Sequence, residues 1–132
     1  VHAVNRLTPT IIEVVVHAPL AAANFEPGQF YRVHHDQQSG HWTPQGPRVL
    51  TFFVYLSDVE AGGGTKVNDP GIVVTPKLGR GILWPSVVDR NLRESDRRTH
   101  HEALPVEAGV KYAANLWQHV VRCRGALLRA HY

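Results

Sequence analysis

One run limits the fold more than any other. From Arg48 to Leu56 the residues Val, Leu, Phe, Phe, Val, Tyr and Leu follow one another almost without a polar break. That pattern suits a β-strand covered on both faces. The rest of the chain supplies shorter candidates of the same kind: residues 10–17, Gln29 to Asp36, Ile72 to Val74, Arg80 to Pro85, His100 to Pro105 and Val110 to His119. Between them stand turn and loop signals: Ala18-Pro19, Glu26-Pro27-Gly28, residues 37–47, Pro76 to Gly79 and Glu107-Ala108-Gly109. Ser57 to Thr65, with Gly62-Gly63-Gly64, reads as a flexible turn, and the polar, arginine-rich segment Ser86 to Thr99 as a long surface loop. Many short strands with little helical period predict a mainly β domain, a sandwich or barrel of which the double-stranded jelly roll is one form.

At 132 residues the chain has room for one modest core. Its 43% hydrophobic and 19% charged content is that of a folded globular protein. No apolar run approaches the roughly 18–20 residues of a membrane-spanning helix. The first residue is Val and no signal-like segment precedes it, so the compartment stays open between endoplasmic reticulum and cytoplasm. The single cysteine, Cys123, excludes an internal disulfide framework and a cysteine-based zinc site. Net charge is only +3, with arginines gathered at Arg90 to Arg98 and at Arg122 to Arg129. A solvated loop and a basic C-terminal end account for these clusters, and nucleic acid is not an expected partner. The glycine triplet is not a phosphate loop, because neither a Lys-Ser or Lys-Thr pair nor a helical pattern follows it.

The chemistry-bearing stretch is Tyr31-Arg32-Val33-His34-His35-Asp36. Side chains two apart on a strand leave the same face, roughly 7 Å apart along the backbone, so His34 and Asp36 are candidate metal ligands. A third ligand must come from elsewhere, and His101 is the candidate. Two imidazoles and one carboxylate on one face suit Fe(II), since they leave positions open for a co-substrate and O2. The chain has nine histidines, and most need not be ligands.

From about Phe25 to His119 these pieces, taken in order, resemble the catalytic domain of the 2-oxoglutarate- and Fe(II)-dependent prolyl 4-hydroxylases. Pro27 to Asp36 is similar to the segment ending in that family's first two iron ligands. Arg48 to Leu56 with Val59 to Thr65 resembles its central strand and glycine turn, and Val74 to Gly79 the strand pair that follows. His101 to Val106, Gly109 to Lys111 and Asn115 to Trp117 resemble its last iron ligand and co-substrate lysine. The resemblance implies a double-stranded β-helix over residues 25–132, truncated at its N-terminal helical side. It implies His34, Asp36 and His101 as metal ligands, and Lys111 as the partner of the distal carboxylate of 2-oxoglutarate. Thr51 and Tyr31 stand where a residue contacts the co-substrate, and Arg48 and Trp117 near the substrate. The implied cofactors are Fe(II), 2-oxoglutarate and O2, with ascorbate. The implied reaction is hydroxylation of peptidyl proline to 4-hydroxyproline with release of succinate and CO2, and the implied partner a proline-containing peptide or protein.

Phe25 stands where many members carry a tyrosine that meets the co-substrate, and Gly64 where a glutamate is usual. Residues 1–24 fall outside the resemblance and are instead similar to the opening of a ferredoxin-reductase-type flavin domain. Neither an Arg-X-Tyr-Ser flavin signature nor a dinucleotide glycine motif follows, so no flavin site is expected. Two other readings stand beside hydroxylation of proline. One is an oxygenase of the same fold acting on another substrate, although nucleic-acid demethylases typically use arginine where Lys111 stands. The other is a non-catalytic metal-binding β-domain.

Overall fold

The apolar run Arg48–Tyr55 (β5) lies inside a six-stranded antiparallel sheet in the computed structural model, which describes residues 3–6, 12–15, 23–37 and 46–120. One neighbour of β5 is Arg80–Pro85 (β9), beyond which come Ile12–Val15 (β2) and Ala3–Arg6 (β1). Its other neighbour is Lys111–His119 (β14), with Ala23–Phe25 (β3) at that edge. A second antiparallel sheet runs in the order Tyr31–His34 (β4), His101–Ala103 (β12), Thr65–Val67 (β7) and Ile72–Val74 (β8). Among the described residues two ribbons accompany these sheets: Ala61–Gly62 (β6) with Val106–Ala108 (β13), and Val87–Val88 (β10) with Asn91–Ser95 (β11).

The sheets close on a shared core, as in a double-stranded β-helix. Tyr55, Ile82 and Trp84 of the large sheet meet Val67 and Val74 of the small one, flanked by Phe53 and Ile72. Tyr55 also bridges the layers through its hydroxyl, which lies 2.7 Å from Thr65 Oγ1 and 2.9 Å from the Val74 carbonyl. Burial pushes its pKa up to about 12, so the phenol stays protonated and able to donate.

Two segments differ from their sequence patterns. Ser86 to Thr99 is not a loop: it forms the β10–β11 hairpin and a 3-10 turn at Arg97–Thr99. Residues 91–94 are all exposed, so no apolar alternation marks the strand. Backbone hydrogen bonds hold it instead, from Ser86 N–H to the Val49 carbonyl and from Asp96 N–H to the Ser86 carbonyl. Asp96 caps the turn by accepting from Arg98 N–H at 3.1 Å. Glu107 and Ala108 belong to β13, leaving Gly109 (φ 79°) to make the turn. Residues 10, 11, 16 and 17 of the first strand candidate, most of the loop over 37–47, Cys123 and the Arg122 to Arg129 cluster lie outside the described residues.

The glycine triplet is a tight crossing rather than a flexible turn. Gly62 has φ +73°, and a Cβ there would collide with the Pro105 carbonyl and stand 2.8 Å from Glu107 N. Backbone meets backbone, so nothing can yield cheaply. Gly62→Ala is therefore expected to cost on the order of 2–4 kcal/mol, lowering the melting temperature by about 10 °C. Gly71 shares the positive φ (+67°) but has nothing within 4 Å. Gly71→Ala should lose only the conformational part, about 1 kcal/mol. Equal shifts for the two variants in thermal melts would refute the close-approach argument.

Candidate metal centre

The small sheet builds the site by pairing β4 with β12. His34 stands opposite His101, and Tyr31 opposite Ala103. Three steps along β4 thus match two along β12, which makes a bulge at Arg32 and Val33. A regular strand would send Tyr31 and His34 to opposite faces; the extra residue turns both toward one cavity, where their rings meet edge to face at 4.5 Å. Asp36 is not on the strand. β4 ends at His34, and Asp36 sits in the bend beyond it. The bend, not the strand's alternation, returns Asp36 to the side of His34.

His34, Asp36 and His101 offer ligand atoms that all lie within 4.8 Å of one another. Asp36 Oδ1 is 3.8 Å from His34 Nε2 and 3.9 Å from His101 Nε2, too far for hydrogen bonds but close enough to converge on one ion. Each ring is oriented from behind. His34 Nδ1 lies 2.9 Å from the Arg32 carbonyl and His101 Nδ1 2.9 Å from the Thr99 carbonyl. A carbonyl only accepts, so both Nδ1 atoms carry the proton and both Nε2 lone pairs face the cavity. Burial holds the His101 pKa below the ordinary imidazole value, with Asp36 opposing, which favours the neutral ring a metal requires.

The neighbouring histidines are engaged elsewhere. His100 Nδ1 bonds the Arg97 carbonyl at 2.9 Å. His35 accepts from Gln37 N–H on Nδ1 at 3.1 Å and donates from Nε2 to the Asp96 carbonyl at 2.9 Å.

The cavity has a volume of about 330 Å³. Lys111 shares it with the three candidate ligands, as do Phe25, Thr65 and Asn115. Lys111 is 1% exposed, donates to the Gly63 carbonyl at 3.0 Å and stands over the Phe25 ring at 4.5 Å. Both partners are neutral, and desolvation pushes its pKa down to about 8. A buried ammonium whose contacts among the described residues are a carbonyl and an aromatic ring is suited to an anionic ligand. Arg48 and Trp117 stack at the cavity wall, the guanidinium 3.9 Å above the indole, and Arg48 Nη1 reaches the Asp36 carbonyl at 3.3 Å. Tyr31 and Trp117 are half exposed at the rim.

Thr51 stands elsewhere than its expected role requires. It is fully buried behind Asp36, does not line the cavity, and gives its hydroxyl hydrogen to Asp36 Oδ2 at 2.6 Å. Its contact is with a candidate ligand, not with the space a co-substrate would fill. Trp84, Thr65 and Tyr55 escaped the sequence reading. Trp84 Nε1–H donates to Asp36 Oδ2 at 2.9 Å and its ring lies 4.6 Å from His101. Thr65 faces the cavity with Tyr55 behind it.

Residues 20–119 match the family described as the 2OG-Fe(II) oxygenase superfamily. The chain belongs to that superfamily. Among its relatives, prolyl 4-hydroxylase subunit alpha-2 of Gallus gallus is 38% identical over 104 residues, covering 76% of this chain and 19% of that protein. The Homo sapiens alpha-1 subunit is 33% identical over 116 residues, 83% of this chain and 21% of that one. The chain thus spans about a fifth of the curated relatives it matches. The viral collagen prolyl hydroxylase of Paramecium Bursaria Chlorella virus-1, solved with 2OG, superposes with a TM-score of 0.67 at 30% identity, covering 85% of this chain and 59% of that one. A Pseudomonas putida prolyl-4-hydroxylase shares the fold, with a TM-score of 0.55 at 21% identity over 85% of this chain and 50% of that one.

The donor set fits the superfamily's metal. Two imidazoles and one carboxylate bring their ligand atoms within 4.8 Å of one another in the lining of a cavity, a donor set that suits Fe(II). His34, Asp36 and His101 would hold the ion, and Lys111 would meet the charge of 2-oxoglutarate.

Proposed function

We propose that this domain is a 2-oxoglutarate- and Fe(II)-dependent dioxygenase that hydroxylates peptidyl proline to 4-hydroxyproline, releasing succinate and CO2. One observation carries the reading: a His34/Asp36/His101 donor set and a buried lysine without a carboxylate partner among the described residues line a single cavity. When bound, Fe(II) would supply the oxidation of 2-oxoglutarate by O2, one oxygen atom going to succinate and the other to the substrate carbon.

The chain's own residues do the rest. Lys111 pairs with the distal carboxylate of 2-oxoglutarate; among the described residues its ammonium makes no ion pair and contacts the Gly63 carbonyl and the Phe25 ring. Phe25 stacks on the Lys111 ammonium and offers no hydroxyl of its own; Thr65 supplies one at the same cavity, backed by Tyr55. Tyr31, Arg48 and Trp117 stand where a peptide enters, two aromatic surfaces and one cation suited to proline rings and backbone carbonyls. The relatives named prolyl 4-hydroxylases support proline as the target.

Mass spectrometry of proline-rich peptides tests this directly. Incubated with the protein, Fe(II), 2-oxoglutarate and ascorbate, such peptides should gain one oxygen on proline, with matching succinate. Succinate release that no proline peptide stimulates would move the activity to another substrate. Absence of both products would leave a metal-binding domain without turnover.

A further inference from the structure

We propose that Thr51 and Trp84 are positioning residues that restrict Asp36 to one-oxygen ligation of the metal, keeping a neighbouring coordination position open. This rests on the metal-centre reading above and assigns two residues to it that hold no metal themselves.

The two oxygens of Asp36 have different surroundings. Oδ1 faces His34 Nε2 at 3.8 Å and His101 Nε2 at 3.9 Å. Oδ2 accepts the Thr51 hydroxyl at 2.6 Å and the Trp84 indole N–H at 2.9 Å. A carboxylate oxygen has about two lone-pair directions, so two donors occupy Oδ2 fully. A carboxylate can otherwise bind a cation through one oxygen or both. With Oδ2 taken, only Oδ1 remains for the ion.

The donors are fixed by the fold. Thr51 and Trp84 are direct cross-strand partners on β5 and β9, so the strand register delivers them together. Thr51 is 0% exposed and Trp84 2% exposed, so both donors are shielded from bulk solvent. Ser86, also 0% exposed, lies 3.3 Å from Thr51 Oγ1. Because the single Thr51 hydrogen goes to Asp36, Ser86 must be the donor in that pair, which points the Thr51 hydrogen forward. Trp84 also packs on the His101 ring at 4.6 Å, so one side chain orients two of the three ligands.

The consequence is arithmetic. In a six-coordinate site, two imidazoles and a one-oxygen carboxylate leave three positions for 2-oxoglutarate and O2. A carboxylate bound through both oxygens would leave two, too few for a chelating 2-oxo acid and O2 together.

The test uses Mn(II), a redox-stable ion for the same donor set, on the full chain. Binding is followed by electron paramagnetic resonance, with far-UV circular dichroism as the fold control. Thr51→Val keeps the shape and removes the hydrogen bond; Thr51→Ser keeps the donor; Trp84→Phe removes the indole N–H. Thr51→Val and Trp84→Phe should each raise the Mn(II) Kd about 10- to 100-fold and alter the bound-ion spectrum, while Thr51→Ser stays within about threefold of wild type. The proposal is overturned if the folded valine variant binds like wild type, or if serine loses as much as valine. The two threonine variants decide the matter even if Trp84→Phe fails to fold. A wild-type protein that takes up no Mn(II) would overturn the metal-centre reading as well; wild-type binding with unaffected variants sinks the positioning role alone.

Discussion

His101→Ala is expected to abolish turnover and to weaken Mn(II) binding by more than about 100-fold, the upper end of what removing a mere outer-shell partner costs. Its neighbour provides the control. His100→Ala should leave both properties near wild type, because that ring bonds the Arg97 carbonyl and packs against His35. The contrast follows from β12, on which His101 pairs with His34 on one side and Val67 on the other. That pairing buries His101 between the sheets, where its Nε2 faces Asp36. Titration of both variants with Mn(II), followed by a succinate assay with Fe(II), checks the prediction. If His101→Ala kept its metal and His100→Ala lost it, the register between β4 and β12 would be one residue out.

Lys111→Ala should raise the Kd for 2-oxoglutarate about 10- to 100-fold, the worth of a charge-assisted hydrogen bond. The pH dependence gives a sharper signature. Burial lowers the lysine's pKa to about 8 in the ligand-free domain. The anion needs the protonated form, so affinity should fall about tenfold per pH unit above 8 in the wild type and stay flat in Lys111→Ala. Stability moves the other way. Between pH 8 and the unfolded value near 10.4, the unfolded chain carries a proton that the folded chain lacks. The penalty for burying the ammonium is therefore fully present below pH 8 and is relieved as pH rises through that window. Calorimetric titration of 2-oxoglutarate at several pH values tests the first claim, and chemical denaturation over the same range the second. An affinity indifferent to pH between 8 and 10 would mean that Lys111 does not hold the co-substrate.

Much of the architecture was legible because strands advertise themselves locally. The apolar run of β5 calls for neighbours on both edges and a packed layer, and β9, β14 and the small sheet supply them, the last against one face. The β10–β11 hairpin was not legible, because a ribbon exposed along residues 91–94 buries nothing that could leave a period in the sequence. The glycine triplet departs from its sequence pattern for the opposite reason. Three glycines permit flexibility, and only the approach of Pro105 and Glu107 shows that Gly62 is needed for lack of a side chain.

Within the site, the ligand types and their order along the chain were present in the sequence: an imidazole and a carboxylate two apart, a distal histidine, and a lysine ten residues after it. How they meet was not. Which groups could bind a metal and an anion is readable residue by residue, since those capacities belong to single side chains. The tertiary structure decided the rest, through pairings between residues far apart in the chain. A bulge in β4 turns Tyr31 and His34 to one side, and a bend rather than a strand carries Asp36. The β5–β9 register brings Thr51 and Trp84 together on one carboxylate oxygen. Register arises from packing two sheets on a common core, a property of the whole chain that no local pattern encodes.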